Sequence, residues 1–313
     1  MTRDFGKVLD IKLSRGHSVR DVMRMMRFSG GFMAAYMAEA FEIMVEMLRD
    51  HDCTRILSFT GNLMATGLRG VLTDMARRKM FDIVVTTCGA LDHDLARSFR
   101  DYERGSFDAD DVELREHDYH RLGSIFIRSS NYGEIIEQKF SEFVERLSLD
   151  SVLSTYELSW LLGEFIDSED SFLYWCSRNR IPVIVPGIVD GAVGYQLWLH
   201  SQRRRIRIDL MRDEGLLSER MWEAKRTGAL IVGGGISKHH VIWWSQFAGD
   251  GLDYAIYVTT ADEYDGSLSG ARPREAVSWR KIAPRARHTF VKADATIVLP
   301  FLHLATIQEI ESD

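Results

Sequence analysis

The sequence predicts a doubly wound α/β fold, a mainly parallel sheet flanked by helices. Two observations predict it. Short β-rich runs alternate with longer segments of helical periodicity, the order produced when strands are joined by crossover helices. The strand candidates are also near-continuous apolar runs that end in Gly or polar residues, as strands buried on both faces do.

In chain order the strands fall at 55–59, 82–86, 182–185, 229–232, 254–258 and 289–292. Each carries Val, Ile, Leu, Phe or Tyr at half or more of its positions. Between them, 31–49 repeats apolar residues at spacings of three and four (Met33, Tyr36, Met37, Ala40, Phe41, Met44, Val45, Leu48). That spacing puts them on one helical face. The stretches 62–79, 135–147 and 218–225 behave similarly. No Pro- or Gly-rich linker interrupts the series, so a single domain over 1–313 with an N-terminal helical segment is expected. A charge-dense stretch, 97–121, reads as a surface excursion or lid.

In such folds ligands gather beyond the carboxyl ends of the strands. Here those tails are polar and Gly-rich: 60–62, 86–89, 187–191, 233–235, 259–262 and 293–295. Any one of them reads as a tight turn with a helix cap. Together they point to one ligand crevice.

The 313 residues are 45% hydrophobic and 27% charged, which is globular composition with ample length for a core. The formal charge of -7 argues against sequence-independent nucleic-acid binding and suits cationic partners. The basic run Arg203, Arg204, Arg205 reads as a solvated surface segment. Cys53, Cys88 and Cys176 are too scattered for a disulfide framework or a zinc ribbon and are read as free thiols. The longest mostly apolar stretch, 295–307, falls short of a membrane span, and residues 1–11 lack the apolar core of a signal peptide. No membrane association and a cytoplasmic location are expected.

Generic motifs stop short of an assignment. Gly233 to Lys238 follows a strand and precedes a helix, yet it is neither GxGxxG nor a P-loop. His239 and His240 are adjacent instead of four apart, with no partner at ligand spacing, so no metal is expected.

Longer motifs carry a specific resemblance. GGGISKHH (233–240), DYAIYVTTADEYDGSLSGARPREAVSWRKI (253–282) and KADAT (292–296) resemble the carboxyl-terminal half of deoxyhypusine synthases. GNLMATG (61–67), VTTCGALDHD (85–94), HRLG (120–123), NYG (131–133) and IPVIVPGIVDG (181–191) extend the likeness over nearly the whole chain. LDHD and HRLG look like the archaeal branch.

The resemblance implies a Rossmann-like NAD-dependent transferase. In that family NAD oxidises spermidine, a lysine captures the aminobutyl group as an imine, and the group passes to a lysine of the initiation factor 5A precursor. Reduction then gives deoxyhypusine, in hypusine biosynthesis. A homotetramer is also implied. Carried over position by position, Lys281 is the nucleophile and His240 the proton-transfer group near the scissile amine. Trp279 packs along the polyamine, Glu275 binds it, and Gly235, Gly266 and Ser267 approach it closely. The carry-over for NAD gives Asn62, Thr87, Cys88, Gly89, Asp190, Thr260, Ala261, Asp294 and Ala295, with Asp265 as a further candidate in the same group. These are largely the strand-end tails already selected by fold. A lysine amine attacks only when uncharged, so the reading needs Lys281 sheltered from water.

The departures cluster at the substrate. Tyr195 and Leu268 stand where spermidine-using members generally carry Asp, and His93 replaces a Glu. Ala192 and Gly61 replace serines, and Arg280 replaces a Gly. Losing two charge-assisted hydrogen bonds at roughly 1.5–3 kcal/mol each would cost about two to four decades of affinity. Asp92 and Asp94 are the candidates to supply replacement charge. The alternatives are therefore the same chemistry with another amine donor or a small-amine acceptor (a homospermidine-like product), or a noncatalytic NAD-binding paralogue subunit.

Overall fold

The computed structural model describes residues 6–204 and 206–312. The chain divides into two compact units. The first comprises the described residues up to Arg55, Met221–Gly234 and everything from Ile242 onward. The second comprises Ile56–Arg220 and Gly235–Val241.

In the first unit Leu252–Val258 is the middle strand, with Arg226–Val232 on one side and Ile282–Val291 on the other, all parallel. Leu230, Ile231, Ala255, Ile256 and Val258 are fully or almost fully buried, as the apolar runs require. Helix Phe32–Arg49 lies against this sheet with Ala40, Ile43, Met44 and Met47 at zero exposure. Helices Val19–Phe28 and Ala295–Ile310 pack on it in turn. Val19–Phe28 starts at a full capping box, Ser18 with Asp21.

In the second unit Ile83–Val85 is the middle strand between Cys53–Phe59 and Val183–Ile184, again parallel. Around it stand helices Leu68–Arg77, Cys88–Arg97, Gly133–Val144, Thr155–Ile166, Phe172–Arg178, Ala192–Arg204 and Leu210–Glu223. The protein is thus a mainly parallel α/β fold flanked by helices, as the sequence predicts.

Several elements differ from expectation in their limits. The helix expected over 62–79 is broken into a 3₁₀ turn, Gly61–Ala65, and the helix Leu68–Arg77. Thr66 causes the break: its hydroxyl donates to the Leu63 carbonyl and accepts from the Leu68 N–H, taking backbone groups a continuous helix would use. The 97–121 excursion supplies strands Glu103–Arg104 and Tyr119–Leu122, which flank Ile125–Arg128 in a small antiparallel sheet. In the basic run, Arg203 is exposed, whereas Arg205 and the side chain of Arg204 lie outside the described residues. Among the described residues no helix is long and apolar enough to cross a membrane.

Candidate active site

Lys281 is placed by a helix end. Helix Pro273–Ser278 opens with Pro, whose fixed φ suits a first helical turn, and stops at Trp279. Arg280 then adopts φ +57, and the chain turns back: Arg280 N–H bonds to the Val277 carbonyl and Lys281 N–H to the Ala276 carbonyl, both at 3.0 Å. This is the Schellman arrangement, which favours Gly at the left-handed position. A Gly at 280 would suit that backbone, and the Arg280 side chain is exposed.

The Lys281 backbone is held on its other side too. Its carbonyl accepts from the Ser245 hydroxyl at 2.9 Å and from the Leu252 N–H at 3.1 Å. Gly251, at φ +103, lies so close that an added Cβ would stand 2.6 Å from the Lys281 carbonyl carbon. The side chain is only 9% exposed, and its Nζ lies 5.4 Å from the centre of the Trp279 ring and 5.9 Å from that of Trp243. Both indoles are substantially exposed, at 64% and 46%. A buried amine thus meets solvent beside two aromatic faces, a setting for an amphipathic cation.

The other expected residues of this unit are spread along two strand-end loops. Thr260 is exposed, and the Ala261 N–H is tied back to the Thr259 hydroxyl at 3.1 Å. Asp265 accepts from the Ser267 N–H at 2.6 Å, in the turn that puts Gly266 at φ +73, and the Ser267 hydroxyl, together with that N–H, holds its carboxyl below the usual range. Leu268 is half-buried beyond that turn, and Glu275 is exposed on the short helix before Lys281. Asp294 caps helix Ala295–Ile310 by accepting from the Thr296 N–H and hydroxyl.

In the second unit the tail after Ile83–Val85 is built around close backbone approach. Thr87 accepts from the Gly61 N–H at 3.0 Å, and a Cβ on Gly61 would stand 2.4 Å from the Ala90 nitrogen. Asn62 and Asp190 are exposed at neighbouring loop positions of their own elements. Helix Cys88–Arg97 starts here without a side-chain cap. Burial, with Asp92 close by, pushes the Cys88 thiol well up, so the thiol is protonated and inert.

Asp92 and Asp94 are engaged inside the unit. The Asp92 carboxylate, 1% exposed, accepts from the Ala192 N–H (2.9 Å), the Val193 N–H (2.7 Å) and the Tyr132 hydroxyl (2.9 Å), so it caps helix Ala192–Arg204. Burial still raises its pKa, because desolvation outweighs those donors. Asp94 is fully buried, paired with Arg69 at 2.7 Å, and accepts from Ser171 and the Leu173 N–H. In this arrangement both carboxylates hold helices in place, and neither is turned toward solvent. His93 contacts the Tyr102 hydroxyl at 2.9 Å, and burial lowers its pKa to about 4, leaving it neutral near pH 7. Tyr195 is 56% exposed on helix Ala192–Arg204, its ring 5.8 Å from that of Trp198.

His240 lies on helix Gly235–Ser245, which begins after Arg226–Val232 with no side-chain cap. Its Nε2 is 3.2 Å from Glu214 Oε1 of helix Leu210–Glu223, off the axis of an aligned hydrogen bond. Burial lowers the His240 pKa, opposed by Glu214 and reinforced by His239. Sequence reading missed Glu214, Trp243, Ser245, Gly251 and Tyr102, which lie in no spacing that marks a site, and assigned no role to Tyr132 within NYG.

The family model for deoxyhypusine synthase matches residues 21–306. The chain belongs to the deoxyhypusine synthase family. A "Probable deoxyhypusine synthase" of Sulfolobus acidocaldarius is 50% identical over 280 residues, 89% of each chain. One of Pyrobaculum aerophilum is 50% identical over 292 residues, covering 91% of this chain and 99% of the relative. A solved structure from Entamoeba histolytica, described as a "putative deoxyhypusine synthase", superposes with a TM-score of 0.63 at 18% identity, over 96% of this chain and 97% of that one. That likeness concerns the fold. As deoxyhypusine synthase homologues imply, the chain is a transferase.

Proposed function

We propose that this member of the deoxyhypusine synthase family moves an aminoalkyl group from a polyamine to a lysine of the initiation factor 5A precursor, through an imine on Lys281, with NAD as cofactor. The burial of Lys281 between two indole faces is the observation that carries the reading. Removed from bulk water, its amine has less hydration to shed before it can attack an imine carbon.

The strand-end residues fit a dinucleotide. Helices Cys88–Arg97 and Gly235–Ser245 follow parallel strands and lack side-chain caps, a setting that suits a pyrophosphate. Gly235, at φ +65, has open space where a Cβ would stand. The family resemblance assigns the cofactor to Asn62, Thr87, Gly89 and Asp190 of the second unit and to Thr260, Ala261, Asp294 and Ala295 of the first. Bound NAD would take hydride from the secondary amine and return it at the end, so that its oxidation state is unchanged overall.

The chain's own groups account for the remainder. His240, neutral near pH 7, accepts the proton that leaves the amine nitrogen. Lys281 Nζ forms a bond to the imine carbon, and the bond from that carbon to the departing diamine nitrogen breaks as that nitrogen gains a proton. Trp279 and Trp243 flank the methylene chain and keep water from the imine. The acceptor lysine then displaces Lys281 by the same exchange. The acceptor and the homotetramer belong to this reading through the family.

Borohydride trapping with NAD and a panel of polyamines, followed by peptide mass mapping, tests it. An aminoalkyl increment on Lys281 is expected, and its absence with every amine would sink the reading. A donor other than spermidine is favoured by one observation: Asp92 and Asp94 are occupied as helix anchors, while Tyr195 and Leu268 bring no charge.

A further inference from the structure

The contact between Glu214 and His240 is not accounted for by any motif in the sequence, and the fold holds it in place on both sides. Glu214 follows Asp213, whose buried carboxylate accepts from the Thr155 N–H at 3.1 Å and the Tyr156 N–H at 3.3 Å. Asp213 thereby fixes helix Leu210–Glu223 against the start of helix Thr155–Ile166, and with it the position of the next residue. Glu214 is partly exposed at 32%, and the His240 side chain at 14%. The carboxylate therefore sits at the solvent edge of a mostly buried imidazole.

We propose that Glu214 is a positioning residue, whose carboxylate orients the His240 ring and stabilises its protonated form during proton transfer. The proposal rests on the aminoalkyl-transfer reading and deepens it. Two titratable groups act on the ring, Glu214 from the facing helix and His239 from its own. Burial and His239 disfavour the imidazolium, and Glu214 opposes them. A base that must accept a proton and later release it works best when neither form is too costly. The carboxylate keeps His240 from being driven further toward the permanently neutral side.

The test uses the full chain carrying Glu214→Gln or Glu214→Asp, with histidine ring resonances followed by NMR against pH and His240 assigned by its own substitution. With Gln the His240 midpoint falls to lower pH, and with Asp it moves back toward the wild-type value. In turnover with NAD and whichever polyamine gives the Lys281 adduct, Glu214→Gln lowers kcat about tenfold or more while the amine KM changes less than about twofold. The acid limb of the kcat/KM profile shifts to lower pH. An unmoved His240 midpoint overturns the proposal. So does a rise in amine KM at unchanged kcat, which would make Glu214 an amine ligand. The titration is read without substrate, so it decides the proposal even if trapping at Lys281 fails, an outcome that counts against the aminoalkyl reading alone.

Discussion

The Lys281 amine faces the ring of Trp279 across 5.4 Å, two residues apart in sequence and on either side of a left-handed turn. The turn makes the pair possible: without the reversal at Arg280 the two side chains would diverge. Lys281→Ala is expected to abolish the trapped adduct and lower turnover by at least about a thousandfold, because the amine that would carry the imine is gone. Trp279→Ala should leave the adduct detectable and raise the amine KM about two- to fivefold, the size of one partly exposed cation–π contact. Equal losses of kcat in both variants would mean that Trp279 acts on chemistry and not on binding.

Two backbone positions beside the lysine should respond in opposite directions. Arg280 occupies φ +57, which costs a residue with a Cβ roughly 1–2 kcal/mol, so Arg280→Gly should leave stability unchanged or raise it by up to about 1 kcal/mol. Gly251→Ala instead drives a Cβ to 2.6 Å from the Lys281 carbonyl carbon and 2.8 Å from the Ile282 nitrogen. A loss of about 2–3 kcal/mol is expected, together with a weaker adduct at Lys281. Thermal and urea denaturation of the two variants side by side measures both; a Gly251→Ala protein as stable as wild type would refute the packing argument.

Placing a serine at position 61 should harm this protein. Atoms fixed in the backbone, Ala90 N at 2.4 Å and Gly89 C at 2.6 Å, occupy the space a side chain needs. The loop carrying Thr87, Cys88 and Gly89 must then move. Gly61→Ser is expected to lower the melting temperature by several degrees and, on the proposed reading of NAD as cofactor, to weaken NAD binding in calorimetric titration. Unchanged affinity and stability would show that the loop yields at no cost.

What could be read in the sequence follows from which interactions are local. Leu252–Val258 and Arg226–Val232 announce themselves because strands buried on both faces must be apolar throughout. Ile282–Val291 was recognisable only at its end, from 289, because it pairs on one side in its unit and tolerates Pro284, Arg285 and Arg287 along the exposed stretch. Helix Ala295–Ile310 is apolar on nearly every face, so it gives no helical period to detect. At the candidate site, Lys281 and Trp279 are singled out by a long motif. Ser245 and Trp243 were not, since only the tertiary fold brings them to Lys281. Asp92 looked like a substrate carboxylate because the N–H groups it serves, at 192 and 193, lie a hundred residues further on.

Asp213 offers a test of the scaffold behind Glu214 through pH alone. Burial raises its pKa from the ordinary 3.8 to about 6, outweighing the N–H groups of Thr155 and Tyr156 that favour the charged form. The sign follows from proton uptake. Between about pH 4 and 6 the folded protein holds a proton at Asp213 that the unfolded chain has released, so this group's contribution to stability falls as pH rises through that window. The full change is about 3 kcal/mol, and it is complete above pH 6. Asp213→Asn removes the titration while other groups titrate as before. The wild type's stability relative to Asp213→Asn, from urea denaturation at half-unit steps of pH, should therefore decline from pH 4 to 6 and then level off. A difference that rises over the same interval would mean that the bonds to Thr155 and Tyr156 dominate, and that Asp213 anchors the helix as a fully charged cap.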